Sequence, residues 1–323
     1  ELWTQGKGNL RQKMMTQDEL YSEIKRLKKE KNAVILSHFY QTAEVQRAAD
    51  LLGDSLQLSQ EAGRTDAEVI VFCGVKFMAE TASIISPDKK VLLPVRYAGC
   101  TLASAIKGSD LREWKEKHPD GLVVSYVNTT ADVKAETDYC VTSSNALDIV
   151  SKLPEDRPIL FCPDRNLGNY IRSKTGREME IWDGCCVVHE VVNRIAVEQF
   201  LEQYPDAELL IHPESPVARE RDYQDNPRIL FGSTAAILKR PVAFAEPHTF
   251  CIGTEIGIMT ELERRYPQHT FVSMIPEKHC RTMKLISLED VYESLLHDQY
   301  EVKVPDDVRD RAIVPIRRML EMS

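Results

Sequence analysis

Cysteine positions give this sequence its first chemical signal. The 323 residues include eight cysteines, and none forms a C-x-x-C pair, so zinc ribbons, thioredoxin-like motifs and ferredoxin-type clusters are not indicated locally. Cys100, Cys186 and Cys280 each follow an apolar run and a turn. If their thiolates converge, they could hold a structural zinc that lacks a fourth ligand, or an iron-sulfur cube with one open iron.

Four other cysteines are expected in the core, and the free thiols indicate a reducing compartment. Free cysteine is usually buried as a small hydrophobe, so we expect Cys73, Cys140, Cys162 and Cys251 to lie in the core. The first thirty residues are polar and do not resemble a signal peptide. Free thiols are typical of a reducing compartment, so we expect a cytoplasmic protein.

Hydroxyl-bearing residues begin three predicted helices. Ser55, the pair Ser143–Ser144 and the pair Ser233–Thr234 each follow a strand or turn and precede a helical pattern. The free N–H groups and the positive dipole end at a helix start, with hydroxyls as further donors, can bind phosphate or carboxylate. Simple N-capping is the alternative role for each residue.

Polar side chains also stand where predicted strands end. His, Tyr and Glu at such points can move protons or orient a substrate, although a lone His there more often makes a structural hydrogen bond. The candidates are His38, Tyr40, Tyr126, Asn128, His189, Glu190, His212 and Glu214.

Short apolar runs alternate with helix-length amphipathic patterns, which predicts an α/β fold with parallel sheets. An acidic turn leading into a strand recurs at 66–71, 120–125 and 206–211, which indicates three versions of one unit. If these units surround a pseudo-threefold axis, their strand ends and three cysteines would meet at one centre. The predicted ranges are 16–100, 101–186 and 187–283 for the units, 284–323 for C-terminal helices that pack back on them, and 1–15 for a disordered or added segment.

Composition excludes several functions. Asp and Glu number 50 against 41 Lys and Arg, a net charge of -9 without a basic tract, so nucleic acid and anionic membranes are poor partners. No apolar run approaches the roughly 20 residues that span a bilayer. Nucleotide-binding glycine motifs are absent.

Two alternative functions remain open. One is a Schiff-base aldolase with Lys76 or Lys134 as its lysine, although we expect both lysines to pair at the surface. The other is a non-catalytic module that binds small anions or metal.

Many short motifs occur in an order that matches one known family. They are Ser37–Gln41, Gly53–Leu56, Gly74–Thr81, Tyr126–Thr129, Cys140–Ala146, Pro163–Gly168, Cys186–His189, His212–Glu214, Gly232–Thr234, Gly253–Glu255 and Met283–Lys284. On these motifs the chain resembles the quinolinate synthase (NadA) family from about residue 33 to residue 320. The resemblance implies an α/β fold of three similar three-layer αβα units about a pseudo-threefold axis, with the active site at their common interface.

The resemblance also implies a reaction and a site. The family condenses iminoaspartate with dihydroxyacetone phosphate to quinolinate, phosphate and water in de novo NAD biosynthesis, and functional coupling to the enzyme that produces iminoaspartate is expected. The implied cofactor is a 4Fe-4S cluster, whose ligands match Cys100, Cys186 and Cys280. The implied substrate contacts and proton carriers are His38, Tyr40, Ser55, Tyr126, Asn128, Ser143, His212, Glu214, Ser233 and Thr234.

Overall fold

Three four-stranded parallel sheets, each flanked by helices, make up the protein. A computed structural model describes residues 15–323, so the segment predicted at 1–15 lies outside the described residues except for Met15. The strand order is the same in every sheet, with the second strand of the unit at one edge, followed by the first, third and fourth. This architecture confirms the prediction of three α/β units.

The twelve strands fall into three consecutive groups. The first sheet contains β1 (Ala33–His38), β2 (Leu51–Gly53), β3 (Val69–Cys73) and β4 (Lys90–Leu92). The second contains β5 (Leu122–Tyr126), β6 (Tyr139–Val141), β7 (Ile159–Cys162) and β8 (Glu180–Ile181). The third contains β9 (Glu208–Ile211), β10 (Ile229–Phe231), β11 (Thr249–Gly253) and β12 (Thr270–Ser273).

Helices alternate with these strands. The first unit has α1 (Gln17–Glu30), α2 (Ala43–Ala48), α3 (Ser55–Arg64) and α4 (Lys76–Ile85). The second has α5 (Gly108–Lys117), α6 (Ala131–Lys134), α7 (Ala146–Ser151) and α8 (Arg165–Thr175). The third has α9 (Arg194–Gln203), α10 (Arg221–Gln224), α11 (Thr234–Lys239) and α12 (Ile258–Arg265), and α13 (Leu288–His297) and α14 (Asp306–Glu321) complete the chain.

Apolar composition explains why the central strands form where they do. Every residue of β3 and β5 is buried, as expected for parallel strands that helices cover on both faces. Polar caps begin several of the covering helices: the Asp54 carboxylate accepts backbone N–H groups at the start of α3, and the Asp164 carboxylate does so at the start of α8. The chain therefore turns from strand to helix at the carboxyl end of the sheet.

Strand pairing fixes which residues of the three units are equivalent. The last pairs between the two central strands of each sheet are Ser37 with Cys73, Ser125 with Cys162 and Ile211 with Gly253. The next residue along the first strand is His38, Tyr126 or His212. These three side chains therefore stand at one equivalent point of the fold.

Each of three cysteines begins the same local structure. A one-turn 3-10 helix starts three residues after the cysteine, at Ala103, His189 or Met283. The α-helices α5, α9 and α13 then start eight residues after the cysteine. Cys100, Cys186 and Cys280 share this register, whereas Cys185 stands one position out of it.

The last two helices pack on the first two units. Helix α13 contacts α1, α2 and β3 of the first unit, and α14 contacts α4, α6 and β6. Among residues 15–323, no helix combines the length and apolar composition that crossing a bilayer requires.

Candidate active site

One cavity, here called the central cavity, lies where residues of all three units meet. Its volume is about 80 Å³. Twelve of the thirteen sequence-predicted site residues line it: His38, Tyr40, Ser55, Cys100, Tyr126, Asn128, Ser143, Cys186, His212, Glu214, Thr234 and Cys280.

The structure gives Ser233 a different place from the one expected. Its hydroxyl accepts the Ala236 N–H at 3.3 Å and caps α11, and it does not line the central cavity. Strand register explains the difference, because Ser55, Ser143 and Thr234 occupy one equivalent position. Ser233 stands one residue earlier, where the helix is capped.

The three cysteines could serve together as ligands of a metal centre. Burial, and to a smaller extent the nearby Cys280 thiolate, raises the pKa of the Cys100 thiol to about 12. Burial, followed by the negative charges of Glu214 and Cys100, raises the pKa of the Cys186 thiol well above its ordinary value. A bound metal cation supplies the positive charge that lets such thiols ionise. Three half-buried sulfur atoms that face one cavity therefore fit a centre with three thiolate ligands.

A second possible metal-binding group shares one of these cysteines. Ligand atoms of Cys186, His189 and Glu214 all lie within 4.8 Å of one another. His189 Nδ1 lies 2.6 Å from Glu214 Oε2, so these two side chains already contact each other. The three-cysteine set differs in that every unit contributes the same atom from the same register.

His38 and His212 have the same geometry at equivalent strand ends. The His38 Nδ1 atom accepts the Tyr40 N–H at 3.1 Å, and the His212 Nδ1 atom accepts the Glu214 N–H at 3.4 Å. Burial is the main cause that lowers the pKa of both imidazoles to about 3, so both are neutral near pH 7. A neutral ring that accepts at Nδ1 carries its proton on Nε2. Both histidines therefore offer an Nε2–H donor, and that of His212 lies 3.2 Å from Ser143 Oγ.

Glu214 is the centre of a buried polar network. The Tyr126 side chain lines the cavity beside its carboxylate, and His189 Nδ1 lies 2.6 Å from Glu214 Oε2. Burial opposes ionisation of Glu214, but the attraction and hydrogen bonding that His189 provides outweigh burial and lower the pKa of the carboxyl group. Burial and then the Glu214 charge raise the pKa of Tyr126. A protonated phenol therefore faces an ionised carboxylate, an arrangement that can hold and transfer a proton.

A hydroxyl chain links Tyr40 to the same network. The Tyr40 hydroxyl lies 2.9 Å from Thr234 Oγ1 and 2.7 Å from Thr254 Oγ1. Thr254 Oγ1 lies in turn 2.8 Å from His189 Nε2. Burial raises the pKa of Tyr40, which keeps its proton available for these contacts. Side chains from different units are thus joined by one path from Tyr40 to Glu214.

The sequence did not show which of the neighbours His189 and Glu190 enters the site. The structure places His189 in the central cavity, whereas Glu190 pairs with Arg165 at 2.7 Å. Its spacing from the cysteine could have identified His189. It stands three residues after Cys186 and corresponds to Met283, which also lines the cavity. Asp54 and Glu255 are further cavity residues that were not selected.

Lys134 is completely buried, which corrects the expectation that it pairs at the surface. Its ammonium group donates to the Val127 carbonyl at 2.8 Å and contacts the Thr129 carbonyl and, at 3.3 Å, the Thr129 hydroxyl. These residues belong to the loop that carries Tyr126 and Asn128 into the cavity. Burial lowers the pKa of Lys134, yet the group serves as a multiple donor that fixes this loop.

We predict that Lys134→Met destabilises the protein by about 3 kcal/mol, because it leaves buried carbonyl oxygens without donors. Denaturant unfolding of the variant and the native protein measures this difference. Lys117→Met, which removes a lysine that is 65% exposed, is the control and is expected to change stability by less than about 0.5 kcal/mol. Equal stabilities of the Lys134→Met and native proteins would contradict the assigned role.

Comparisons with known proteins agree with the motifs. The family model described as NadA, quinolinate synthetase A protein, matches residues 22–321. A quinolinate synthase of Pyrobaculum aerophilum is 47% identical over 309 residues, 94% of this chain and 100% of that protein. A quinolinate synthase of Thermus thermophilus is 48% identical over 307 residues, 95% of this chain and 97% of that protein. One of Chlorobium phaeobacteroides is 45% identical over 315 residues, 96% of each chain. The chain therefore belongs to the NadA quinolinate synthetase A family.

Proposed function

We propose that the chain condenses iminoaspartate with dihydroxyacetone phosphate to give quinolinate, phosphate and water, as a transferase of NAD biosynthesis. The observation that carries this proposal is the register of Cys100, Cys186 and Cys280 around one cavity that proton carriers and hydroxyl groups also line. Family membership supports the same reaction.

The proposed cofactor is a 4Fe-4S cluster held by these three cysteines. Held by three protein ligands, such a cluster would keep one iron open, and that iron would supply a Lewis acid for the loss of a substrate hydroxyl. The donor set supports this assignment, because all three ligands are thiols and thiolates are the usual ligands of iron-sulfur clusters.

Neutral donors are proposed to bind the anionic groups of the substrates. The hydroxyls of Ser55, Ser143 and Thr234 stand at equivalent points of the cavity wall, so each unit offers one donor to phosphate or carboxylate. Asn128 adds a buried Oδ1 atom that has no hydrogen-bond partner within residues 15–323. An unpartnered acceptor in a cavity fits a substrate N–H or O–H donor, such as the imine of iminoaspartate.

The histidines and tyrosines are proposed to orient the substrates and move protons. His38 and His212 donate through Nε2–H and can stabilise oxygen atoms that gain negative charge. Tyr126 and Glu214 are proposed as an acid-base pair close to Cys186, since a Glu214 carboxylate oxygen lies within 4.8 Å of Cys186 Sγ. Tyr40 exchanges hydrogen bonds with Thr234 and Thr254 and can complete the proton path.

We place this activity in the cytoplasm, where all eight free thiols would stay reduced. Iminoaspartate hydrolyses readily as an imine, so coupling to the enzyme that produces it is part of the proposal. A reducing compartment also protects an open iron-sulfur site from oxidation.

An anaerobic assay tests the proposed reaction. Protein reconstituted with iron and sulfide is supplied with dihydroxyacetone phosphate and freshly generated iminoaspartate, and quinolinate is measured by its absorbance after chromatography. Quinolinate formation that requires both substrates and is lost after exposure to air is the expected result. Tight binding of both substrates without turnover would contradict the proposal and favour a binding module.

Borohydride trapping separates the proposed reaction from a Schiff-base aldolase. No lysine among residues 15–323 lines the central cavity, Lys134 is occupied by carbonyl groups, and the Lys76 side chain is 60% exposed. We therefore expect no covalent adduct between protein and dihydroxyacetone phosphate after borohydride treatment. An adduct on a lysine in mass spectra would favour the aldolase.

For Ser143→Ala we predict a KM for dihydroxyacetone phosphate about tenfold higher or more, because a hydrogen bond to a charged group contributes roughly 1.5–3 kcal/mol. Steady-state kinetics with each substrate varied in turn measures the change. Ser151→Ala removes a hydroxyl that donates to the Asp148 carbonyl at the end of α7, the helix that follows Ser143, and should leave KM unchanged. An unchanged KM for both substrates in Ser143→Ala would remove this residue from the binding site.

A further inference from the structure

Two buried carboxylates bind the backbone of two of the three cysteines. The Asp164 Oδ2 atom accepts the Cys186 N–H at 3.1 Å, and the Glu255 Oε1 atom accepts the Cys280 N–H at 3.1 Å. Both side chains are completely buried. A buried carboxyl oxygen that accepts a backbone N–H satisfies that donor and ties the backbone to the side chain, so the cysteine loop has little freedom there.

The carboxylates occupy one equivalent position of the fold. Asp164 is the second residue after the end of β7, and Glu255 is the second residue after the end of β11. The corresponding residue after β3 is Val75, which has no acceptor in its side chain. The arrangement is therefore repeated in the second and third units and missing from the first.

Other contacts show that each carboxylate is rigidly placed. Asp164 Oδ1 accepts the Leu167 N–H at 2.7 Å and caps α8. Glu255 Oε2 accepts the Gly257 N–H at 2.6 Å, and the Lys284 ammonium group lies 3.3 Å from Glu255 Oε1. Each carboxylate thus ties a cysteine loop to the start of a neighbouring helical segment.

The loop before Cys100 is held by a different device. Leu93 exchanges two backbone hydrogen bonds with Tyr300, with N···O distances of 2.9 and 3.1 Å, and the Arg96 guanidinium lies 4.8 Å from the centre of the Tyr300 ring. These contacts act on the segment several residues before the cysteine. The Lys76 N–H also donates to the Ala98 carbonyl at 2.7 Å, two residues before Cys100. The first unit therefore holds its cysteine loop by backbone contacts, to which the chain that follows α13 contributes.

We propose that Asp164 and Glu255 are positioning residues that hold the Cys186 and Cys280 loops ready to bind the metal centre. This inference rests on the proposed function, because it requires the three cysteines to be the ligands. Outer partners that fix metal ligands commonly change metal affinity by about 10- to 100-fold when they are substituted. The cluster should therefore be bound less firmly when either carboxylate is lost, while the sulfur ligands themselves remain.

Two variants separate this role from helix capping and general stability. Asp164→Ser keeps an oxygen that can cap α8 but cannot also reach the Cys186 N–H. Glu255→Gln keeps the shape of the side chain, but its amide group turns a donor toward either a backbone N–H or the Lys284 ammonium. Asn193→Ala is the control, because Asn193 caps α9 beyond Cys186 and bonds only the Ala196 N–H among the described contacts.

The experiment compares the reconstituted native protein and the variants under anaerobic conditions. Iron release to a chromophoric ferrous chelator is followed in time, the spectrum of the reduced cluster is recorded by electron paramagnetic resonance, and the melting temperature of each apoprotein is measured. Asp164→Ser and Glu255→Gln are expected to release iron at least tenfold faster and to change the resonance spectrum. The apoprotein melting temperatures should fall no further than in Asn193→Ala.

Iron release within twofold of the native rate in both variants would overturn the inference, as would equally fast release in Asn193→Ala. If Asp164→Ser does not fold, Glu255→Gln alone decides the outcome by the same criteria. A native protein that binds no iron after reconstitution would contradict the proposed function itself, and with it this inference. If the native protein binds iron and both variants release it at the native rate, the inference is contradicted but the proposed function is not.

Discussion

Cys100→Ala, Cys186→Ala and Cys280→Ala are each expected to lose the bound cluster, whereas Cys185→Ala is expected to keep about four irons and four sulfides per chain. The reason is register, since only the first three cysteines stand three residues before a 3-10 helix and eight before an α-helix. Cys185 precedes this position and does not line the central cavity.

Iron and acid-labile sulfide analysis, with the visible spectrum of protein purified without oxygen, measures this prediction. Cys185→Ala is the matched control because it removes the thiol next to a ligand. Iron loss in Cys185→Ala with iron retained in Cys186→Ala would show that the ligand in the second unit is misassigned. Zinc or no metal in every form, even after reconstitution, would contradict the convergence of the three thiols on a cluster.

The elements of the fold could be predicted because their signals are local. Buried apolar runs such as 69–73 and 122–126 can form central parallel strands, and the polar residues that follow them mark the strand ends. The acidic turns that recur before strands revealed three units without any knowledge of how the units meet. The cysteines could be selected for the same reason, since their place within each repeat is visible in the sequence.

The contacts within the site could not be predicted because they join segments far apart in the chain. Tyr40 meets Thr234 and Thr254 across 194 and 214 residues, and no local pattern specifies that meeting. Lys134 illustrates the same limit, since a lysine four residues into a short helix is ordinarily exposed. Its burial follows from the loop carbonyls of Val127 and Thr129, which only the folded chain brings around it.

The three units share a backbone arrangement but carry different side chains at most equivalent positions of the site. The cysteine is the same in all three units, but the strand-end position holds His38, Tyr126 or His212. The position two residues later holds Tyr40, Asn128 or Glu214. The proposed condensation of two different substrates would need different groups on each side, and the three units offer them at equivalent backbone positions. The shared cysteine is the one group that the proposed metal centre would need from every unit.

The second prediction of large effect concerns Tyr126→Phe, which should lower kcat at least a hundredfold while iron and sulfide contents stay native. Tyr126 lines the cavity beside the buried Glu214 carboxylate, so loss of its hydroxyl would remove the proposed substrate contact and the proposed proton partner of Glu214. Sulfur ligation is untouched, because no atom of Tyr126 belongs to the proposed donor set. Anaerobic steady-state kinetics on cluster-loaded variant and native protein measures the effect.

Tyr170→Phe is the matched control for this experiment. Tyr170 is buried on α8, its ring centre lies 6.1 Å from that of Phe231, and it does not line the central cavity. The kcat of Tyr170→Phe should stay within about twofold of the native value, because the lost hydroxyl lies outside the cavity and contacts no proposed catalytic group. Near-native turnover of Tyr126→Phe with both substrates would exclude Tyr126 from proton transfer. A fall in kcat with proportional loss of iron would instead make Tyr126 a support for the cluster, which contradicts the catalytic assignment.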